Sequence, residues 1–292
     1  MTDTTKKGSL YLVATPIGNM EDITLRALRI LKESDLIACE DTRRTQKLLS
    51  HYGISRPLIS YYEHNEAKRI PELIKALEAG KNLAVVSDAG SPGISDPGYR
   101  LVRQAVAQGL PVTAVPGPSA LILSLSLSGL PTDRFSFYGF LPRTRAGRKK
   151  LLTDVSQVPH TLLFFESPHR ILKSLEQILE ILGNRQAAFC RELTKLFEQV
   201  ERGPVAELIE KLKDGPQKGE FCIVIAGEKT KEDQDRENRD KRVQAEALLK
   251  EFKAMPLKEA AREVALQLGI SRREAYQLAL QQGPGKKTPK KK

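Results

Sequence analysis

The residues best suited to chemistry lie in short loops that follow apolar segments. The loop SDAGSPGISDPG, residues 87–98, holds two aspartates, three glycines and two prolines directly after the apolar run 83–86. Glycine allows main-chain angles that other residues avoid and lets a ligand approach the backbone, whereas proline restricts the chain. This composition predicts either a cradle for a ligand or a tight connection to a helix that begins near Tyr99.

Four more loops of this kind follow apolar runs along the chain. They are ATPIGNMEDIT at 14–24, PGPSA at 116–120, FFESPHR at 164–170 and CRELTK at 190–195. In an open α/β sheet, ligands collect where the carboxyl ends of the strands meet. Each loop alone is weak evidence, but the five loops together predict one binding cleft.

Several common kinds of active site are excluded by motifs that the sequence lacks. It has no Gly-x-x-x-x-Gly-Lys phosphate loop, no Gly-x-Gly-x-x-Gly dinucleotide turn and no His-Glu-x-x-His motif. The three cysteines and four histidines are scattered, which predicts no metal site and favours a reducing cytoplasm. The longest apolar stretch, residues 120–130, is short and contains serines, so no membrane association is expected.

The order of the predicted elements indicates the fold class. Short β-branched or apolar runs alternate with segments of helical periodicity, and the connections between them are short. This alternation predicts an α/β fold whose first sheet is mostly parallel. We expect an N-terminal α/β domain at 8–118, a second α/β domain at 119–228 and a small helical unit at 240–282.

The last quarter of the chain carries most of the excess positive charge. The formal net charge is +11, and residues 229–292 hold 17 of the 47 basic but 10 of the 36 acidic residues. Helical spacing followed by the capping pattern of Ser271 and Glu274 predicts a helix-turn-helix-like unit with Arg272 and Arg273 at the start of its second helix. The charge favours a nucleic-acid partner, and a helical hairpin packed on the body is the alternative.

A second basic segment is FLPRTRAGRKK at residues 140–150, which contains no acidic residue. Such a run is typical of a solvated helix start, but beside a cleft it would also bind RNA phosphates, and we favour that interpretation. Its candidate RNA-binding residues are Arg143, Arg145, Arg148, Lys149 and Lys150.

The motifs ATPIGN, SDAGSPGISDPG and FFESPHR, followed by the terminal helix pair, occur in the order typical of one family. In this respect the chain resembles the bacterial small-subunit ribosomal RNA methyltransferases that modify the ribose of a cytidine, which are members of the tetrapyrrole methylase superfamily. The resemblance covers nearly the whole chain. It implies a two-domain α/β fold, S-adenosylmethionine in the cleft, methyl transfer to a 2′-hydroxyl in the decoding region of 16S rRNA, and a homodimer.

The resemblance also implies which residues hold the cofactor. The loop that begins at Val86 is expected to wrap the methionine portion through its backbone, and Asp88 is expected to face the ammonium group. Phe165 and Leu193 are expected to flank the adenosine. The full implied set is Ile17, Gly18, Val86, Ser87, Asp88, Ile94, Ser119, Ala120, Phe165 and Leu193. The chain departs from the wider superfamily at ATPIGN, where a glycine-rich turn is usual.

We predict a role for three carboxylates on these loops. Glu166 ends a predicted buried strand, so it is our first candidate for the base that accepts the ribose proton, and Asp88 is the second. A structural ion pair between Glu166 and Arg170, four residues apart at a helix start, is the alternative. Asp96, which precedes Pro97 and Gly98, is expected to cap a helix.

Two other functions remain open at this level. The first is a small-molecule methyltransferase acting on a tetrapyrrole, which would not need the basic segment or the helical unit. The second is a ribosome-binding assembly factor that retains the cofactor cleft only as structure. Binding of S-adenosylmethionine separates the second alternative from both enzymes.

Overall fold

The computed structural model describes residues 7–213, 215 and 218–281, with the backbone alone along 231–238. Two compact units are present, one ending at Gly227 and the other beginning at Glu228. The first contains two five-stranded sheets, and the second is helical.

The first sheet is parallel throughout. Its strands run in the order β3-β2-β4-β1-β5, and each neighbouring pair is parallel. The strands are β1 (Leu10–Val13), β2 (Leu36–Cys39), β3 (Leu58–Ser60), β4 (Leu83–Val86) and β5 (Val112–Val115). Because all five point the same way, the loops that follow them meet at one edge of the sheet.

Helices cover both faces of this sheet. They are α1 (Leu25–Glu33), α2 (Thr42–His51), α3 (Glu66–Glu78) and α4 (Tyr99–Ala107), and a short 3-10 helix spans Met20–Asp22. Leu73 and Leu101 pack with Val85 on one face, while alternate strand positions such as Val86 pack on the other. Side chains cap two of these helices: Thr24 accepts from Ala27 N at 3.1 Å at the start of α1, and Asp41 accepts from Arg43 N at 2.8 Å at the start of α2.

The second sheet is mixed. Its order is β6-β7-β10-β8-β9, and only the β6–β7 pair is parallel. The strands are β6 (Phe135–Phe140), β7 (Thr161–Glu166), β8 (Gln186–Arg191), β9 (Gln199–Pro204) and β10 (Phe221–Ile225). Helices α6 (Arg145–Asp154), α7 (Ile171–Leu182) and α8 (Val205–Lys213) cover one face, and α5 (Ala120–Ser128) covers the other.

The predicted alternation and the parallel first sheet are confirmed. Strand β9 was missing from the prediction, because QVERGP has no apolar run and forms an edge strand by pairing with β8. The proposed boundary at residue 118 falls in the loop between β5 and α5, and both sheets belong to one compact unit. None of the described helices is long and apolar enough to span a membrane.

The second unit contains three helices, α9 (Lys231–Glu251), α10 (Leu257–Leu268) and α11 (Arg272–Gln281). Gly269 ends α10 with a φ of 61°, and Ser271 Oγ accepts from Glu274 N at 3.1 Å, as the capping pattern predicts. Ala245, Val264 and Leu278 bring the helices together in one small apolar core.

Candidate active site

The loops after β1 and β4 are joined by backbone hydrogen bonds. Thr15 N donates to Gly90 O at 2.9 Å, and Gly90 N donates to Thr15 O at 3.0 Å. Thr15 Oγ1 also donates to Ser87 O at 3.1 Å. The ATPIGN and SDAGSPGISDPG loops therefore form one rigid edge at the carboxyl end of the first sheet.

Glycines in the second of these loops are required by backbone angles. Gly90 has a φ of 80° and Gly93 a φ of 86°, a region that disfavours side chains. A Cβ at Gly90 would lie 3.5 Å from Ile17 Cγ2, and one at Gly93 would lie 3.9 Å from Tyr99 N, which are ordinary contacts. The glycines thus serve the shape of the loop, and Gly90 itself is buried.

Gly18 has a different role, because the loop between β8 and β9 lies against it. A Cβ at Gly18 would lie 2.8 Å from Thr194 Oγ1 and 2.9 Å from Leu193 O. Next to it, Asn19 N donates to Thr194 Oγ1 at 3.1 Å. This glycine therefore lets loops from the two sheets meet.

Strained backbone occurs in two of these loops, the one after β4 and the one after β8. Among the described residues, three that are not glycine have φ in the left-handed region: Ser95 at 63°, Glu192 at 51° and Thr194 at 64°. Each such residue costs about 1–3 kcal/mol, and such strain clusters at functional sites. Ser95 Oγ lies 3.3 Å from the Cβ position of Gly139 in β6, so the loop after β4 also touches the second sheet.

An apolar cluster fills the junction of the two sheets. It brings together four residues expected at the cofactor, namely Ile17, Ala120, Phe165 and Leu193. The Phe165 ring packs edge-on against Phe137 and Phe140, with centroid distances of 4.8 and 5.5 Å. Flat apolar surface of this kind suits the adenosine part of a nucleoside cofactor.

The remaining expected cofactor residues lie in other surroundings. The Val86 side chain belongs to the core of the first sheet, so only its backbone is available to a ligand. Ile94 is 45% exposed, outside the apolar cluster. Ser119 precedes α5 and makes no capping hydrogen bond there, which leaves amide groups at the start of this helix without a side-chain acceptor.

Asp88 connects the loop after β4 to α2. Its Oδ1 accepts from Asp41 N at 3.0 Å, and its Oδ2 lies 3.2 Å from Arg44. The side chain keeps 21% of its surface exposed. The carboxylate is thus fixed in place, with surface remaining for a cationic ligand.

Asp96 is the carboxylate whose importance the sequence did not reveal. Burial raises its pKa to about 6, the negative charges of Glu40 and Asp88 add to this effect, and a hydrogen bond from Ser87 opposes it. Burial, followed by the charge of Asp88, also raises the pKa of Glu40, directly after β2. The capping role expected for Asp96 is wrong, because Gly98 is the capping position of α4 and no side chain caps it.

Glu166 lies inside the second sheet. Its side chain is fully buried, and Oε1 accepts from Ser167 N at 2.7 Å and from Arg170 at 2.5 Å. Oε2 accepts from Ser174 Oγ at 2.5 Å. Since both oxygens are engaged by the protein and hidden from solvent, the geometry favours the ion-pair alternative over a catalytic base.

Comparison with known proteins identifies the family. The model of the tetrapyrrole (corrin/porphyrin) methylases matches residues 9–209, and that of the RsmI C-terminal HTH domain matches 242–283. The chain belongs to the tetrapyrrole methylases. Among solved structures, this methylase resembles uroporphyrin-III-C-methyltransferase from Thermus thermophilus, with 23% identity over 75% of this chain and 94% of that one and a TM-score of 0.54.

Curated relatives of this methylase carry the name ribosomal RNA small subunit methyltransferase I. The protein from Pseudomonas aeruginosa is 45% identical over 94% of this chain and 97% of its own. That from Halalkalibacterium halodurans is 44% identical over 93% and 94%. The Thermotoga maritima protein is 49% identical over 75% of this chain but 99% of its own, so it has no counterpart for a quarter of the methylase.

The basic segment of the methylase divides into buried and exposed cations. Arg148 is buried, where Nε donates to Gln177 Oε1 at 3.0 Å and Nη1 to Arg143 O at 3.0 Å. Its predicted role in RNA binding is therefore wrong, because the guanidinium ties α6 to α7. Arg145 is exposed 3.6 Å from Glu180, and Lys149 and Lys150 are exposed like Arg143.

In the helical unit of the methylase, Arg272 and Arg273 are exposed at the start of α11, as predicted. Within the described ranges, no group of three or more His, Cys, Asp or Glu residues is arranged to hold a metal ion.

Proposed function

We propose that this methylase transfers a methyl group from S-adenosylmethionine to the 2′-hydroxyl of a cytidine in the decoding region of 16S rRNA. The observation that carries the proposal is the identity of 44–45%, over more than nine tenths of the chain, to small-subunit ribosomal RNA methyltransferases. The ribose target rests on the family resemblance of the ATPIGN, SDAGSPGISDPG and FFESPHR motifs.

The cleft residues fit S-adenosylmethionine. The apolar cluster of Ile17, Ala120, Phe165 and Leu193 would hold the adenosine. The fixed carboxylate of Asp88 would hold the ammonium group, and the backbone of the loop after β4 would supply further contacts. When bound, the cofactor supplies an electrophilic methyl carbon on a sulfonium. Gly18, Val86 through its backbone, Ser87, Ile94 and Ser119 complete the proposed set.

We propose Asp96 as the group that accepts the ribose proton. The neighbouring residue Ser95 contacts the second sheet at Gly139, so the loop that carries Asp96 reaches that sheet. With a pKa raised to about 6, Asp96 is mostly ionised at pH 7 and is a stronger base than an ordinary aspartate. Glu166 would instead stabilise the start of α7.

RNA would bind through exposed cations of the first unit and of the helical unit. In the first unit these cations are Arg143, which precedes α6, and Arg145, Lys149 and Lys150 within α6. In the helical unit they are Arg272 and Arg273 at the start of α11. Exposed cations attract phosphates without reading bases, so they would orient the small ribosomal subunit while the cleft selects the cytidine.

We also propose that the methylase works in the cytoplasm, where its ribosomal substrate is found, and that it is a homodimer. Leu196 and Phe197 support a protein contact, because they are 90% and 68% exposed on the loop between β8 and β9. Sedimentation equilibrium of the parent and of Phe197→Ser tests the dimer. A monomeric parent at micromolar concentration would contradict it.

Methyl transfer decides between the proposed function and its rivals. Labelled S-adenosylmethionine is offered with naked 16S rRNA, with isolated small subunits and with whole ribosomes, and the label is mapped. We expect label on one cytidine ribose, and none when that nucleotide is 2′-deoxycytidine. Methylation of the deoxy substrate would overturn the ribose assignment, and cofactor binding without any transfer to RNA would favour a tetrapyrrole substrate or a structural role.

A further inference from the structure

The helical unit contains a concavity of its own between α10 and α11. Its volume is about 390 Å³. The lining residues are Lys258, Ala261, Arg262, Arg272, Arg273 and Tyr276. The first three lie on one face of α10 at spacings of three and four residues, and the other three lie in the first turns of α11.

All charged side chains that line this concavity are positive. Lys258, Arg262, Arg272 and Arg273 are all exposed, and none of the ion pairs found among the described residues involves any of them. The lining contains no carboxylate. Elsewhere in the same unit, Arg242 is neutralised by Glu246 at 3.2 Å. Four cations that share one hollow repel each other, so an anion gains more free energy here than at an isolated surface lysine.

The kinds of side chain in the concavity indicate how an anion would bind. Guanidinium groups donate two parallel hydrogen bonds to a phosphate, and the first amides of α11 add positive potential at the same end. Tyr276 is half-buried, lines the concavity beside the cations and packs against the apolar core of the unit. Asparagine, glutamine and carboxylate side chains, which read adenine and cytosine edges, are absent from the lining.

We propose that this concavity binds the sugar–phosphate backbone of RNA at two neighbouring phosphates, independently of sequence, with Tyr276 packed against the ribose between them. The identity of the RNA as ribosomal rests on the proposed function. The binding mode does not, because it follows from the four cations and the ring alone. The helical unit is thereby a clamp that raises the affinity for substrate, and the choice of nucleotide is left to the first unit.

The test compares two double variants of the full chain that remove equal charge from the helical unit. Arg262→Ala/Arg272→Ala changes the concavity, and Lys250→Ala/Lys253→Ala changes exposed cations outside it. Binding is measured to an RNA hairpin of the decoding region and to an unrelated hairpin, between 50 and 300 mM salt. Melting temperatures of both variants confirm that the unit is folded.

For the concavity variant we expect about tenfold to hundredfold weaker binding to both hairpins, with a log–log salt slope shallower by about 1–2, the loss for two phosphate contacts. The control should lose less than about threefold, as expected for distant charges screened by salt. Equal losses in the two variants would overturn the site. A loss confined to the decoding-region hairpin would overturn sequence independence.

One further readout separates this inference from the proposed function. The affinity of the concavity variant for S-adenosylmethionine should equal that of the parent, because the concavity contains none of the proposed cofactor residues. If the parent binds RNA through the concavity but transfers no methyl, the proposed function fails and the clamp stands. If the parent methylates and the variant binds both hairpins normally, the clamp fails and the proposed function stands.

Discussion

Glu166 and Arg170 form an ion pair of 2.5 Å inside the first unit, where the end of β7 meets the start of α7. Ser174 Oγ occupies the other carboxylate oxygen at 2.5 Å. A group held in this way stabilises the fold and is hidden from solvent.

We therefore predict that Glu166→Gln lowers stability rather than the rate of methyl transfer. The neutral amide leaves Arg170 without its counter-ion, and because Arg170 is 22% exposed we expect a loss of about 2 kcal/mol. Urea unfolding measures this loss, and Glu176→Gln on the exposed face of α7 is the control. A folded Glu166→Gln protein that transfers methyl a hundredfold more slowly would return Glu166 to the chemistry.

Asp96→Asn should lower single-turnover methyl transfer by about a hundredfold, the lower end for loss of a general base, with cofactor affinity retained. In the parent, the rate should rise with pH and level off above about 6, where Asp96 has lost its proton. Glu40→Gln should move this midpoint to lower pH, because the charge of Glu40 contributes to raising the pKa of Asp96. A midpoint unaffected by either substitution would exclude Asp96 as the base.

The same carboxyl gives a stability prediction. The pKa of Asp96 is raised from 3.8 to about 6 on folding, so between these values the native state binds more protons than the unfolded state. The free energy of unfolding of the parent, relative to that of Asp96→Asn, should fall as pH rises from about 4 to about 6. A constant difference across that range would show that Asp96 has an ordinary pKa.

Gly90→Val should abolish cofactor binding while the protein stays folded. The substitution strains a backbone with a φ of 80° and places a branched side chain beside Ile17 and the Pro118 carbonyl, in a buried part of the loop. Gly53→Val is the matched control, because Gly53 has a φ of 64° with no atom within 4 Å of its Cβ position. Both should lose about 1–2 kcal/mol of stability, but only Gly90→Val should lose affinity in calorimetry. Unchanged affinity would make the loop a connector.

Substitutions on α6 should distinguish the residues that stabilise the fold from those that bind RNA. Arg148→Ala removes hydrogen bonds to Gln177 and to the Arg143 carbonyl, so we expect a lower melting temperature. Lys149→Ala/Lys150→Ala removes exposed charge and should weaken RNA binding with a shallower salt dependence. Equal RNA affinity in the lysine variant would exclude this face of α6 from the substrate interface.

Local sequence patterns correctly predicted those features that are determined by a short segment of the chain. Alternating apolar runs and helical periodicities predicted the α/β order, since burial acts on each element separately. The capping pattern of Ser271 and Glu274 correctly predicted the start of α11. The motifs ATPIGN and SDAGSPGISDPG were expected to lie together, and the backbone hydrogen bonds between Thr15 and Gly90 join them.

Tertiary structure decided the role of individual polar side chains in those loops. Strand β9 forms because it pairs with the edge of β8. The sequence QVERGP contains no pattern that predicts a strand. Arg148 is buried and Lys149 exposed because helical phase and the position of α7, not the residue type, determine which cation faces inward. The pKa of Asp96 depends on Glu40, 56 residues earlier in the chain. Electrostatic and packing free energies depend on distances between groups in space. Those distances are set by the fold and cannot be read directly from the order of residues in the chain.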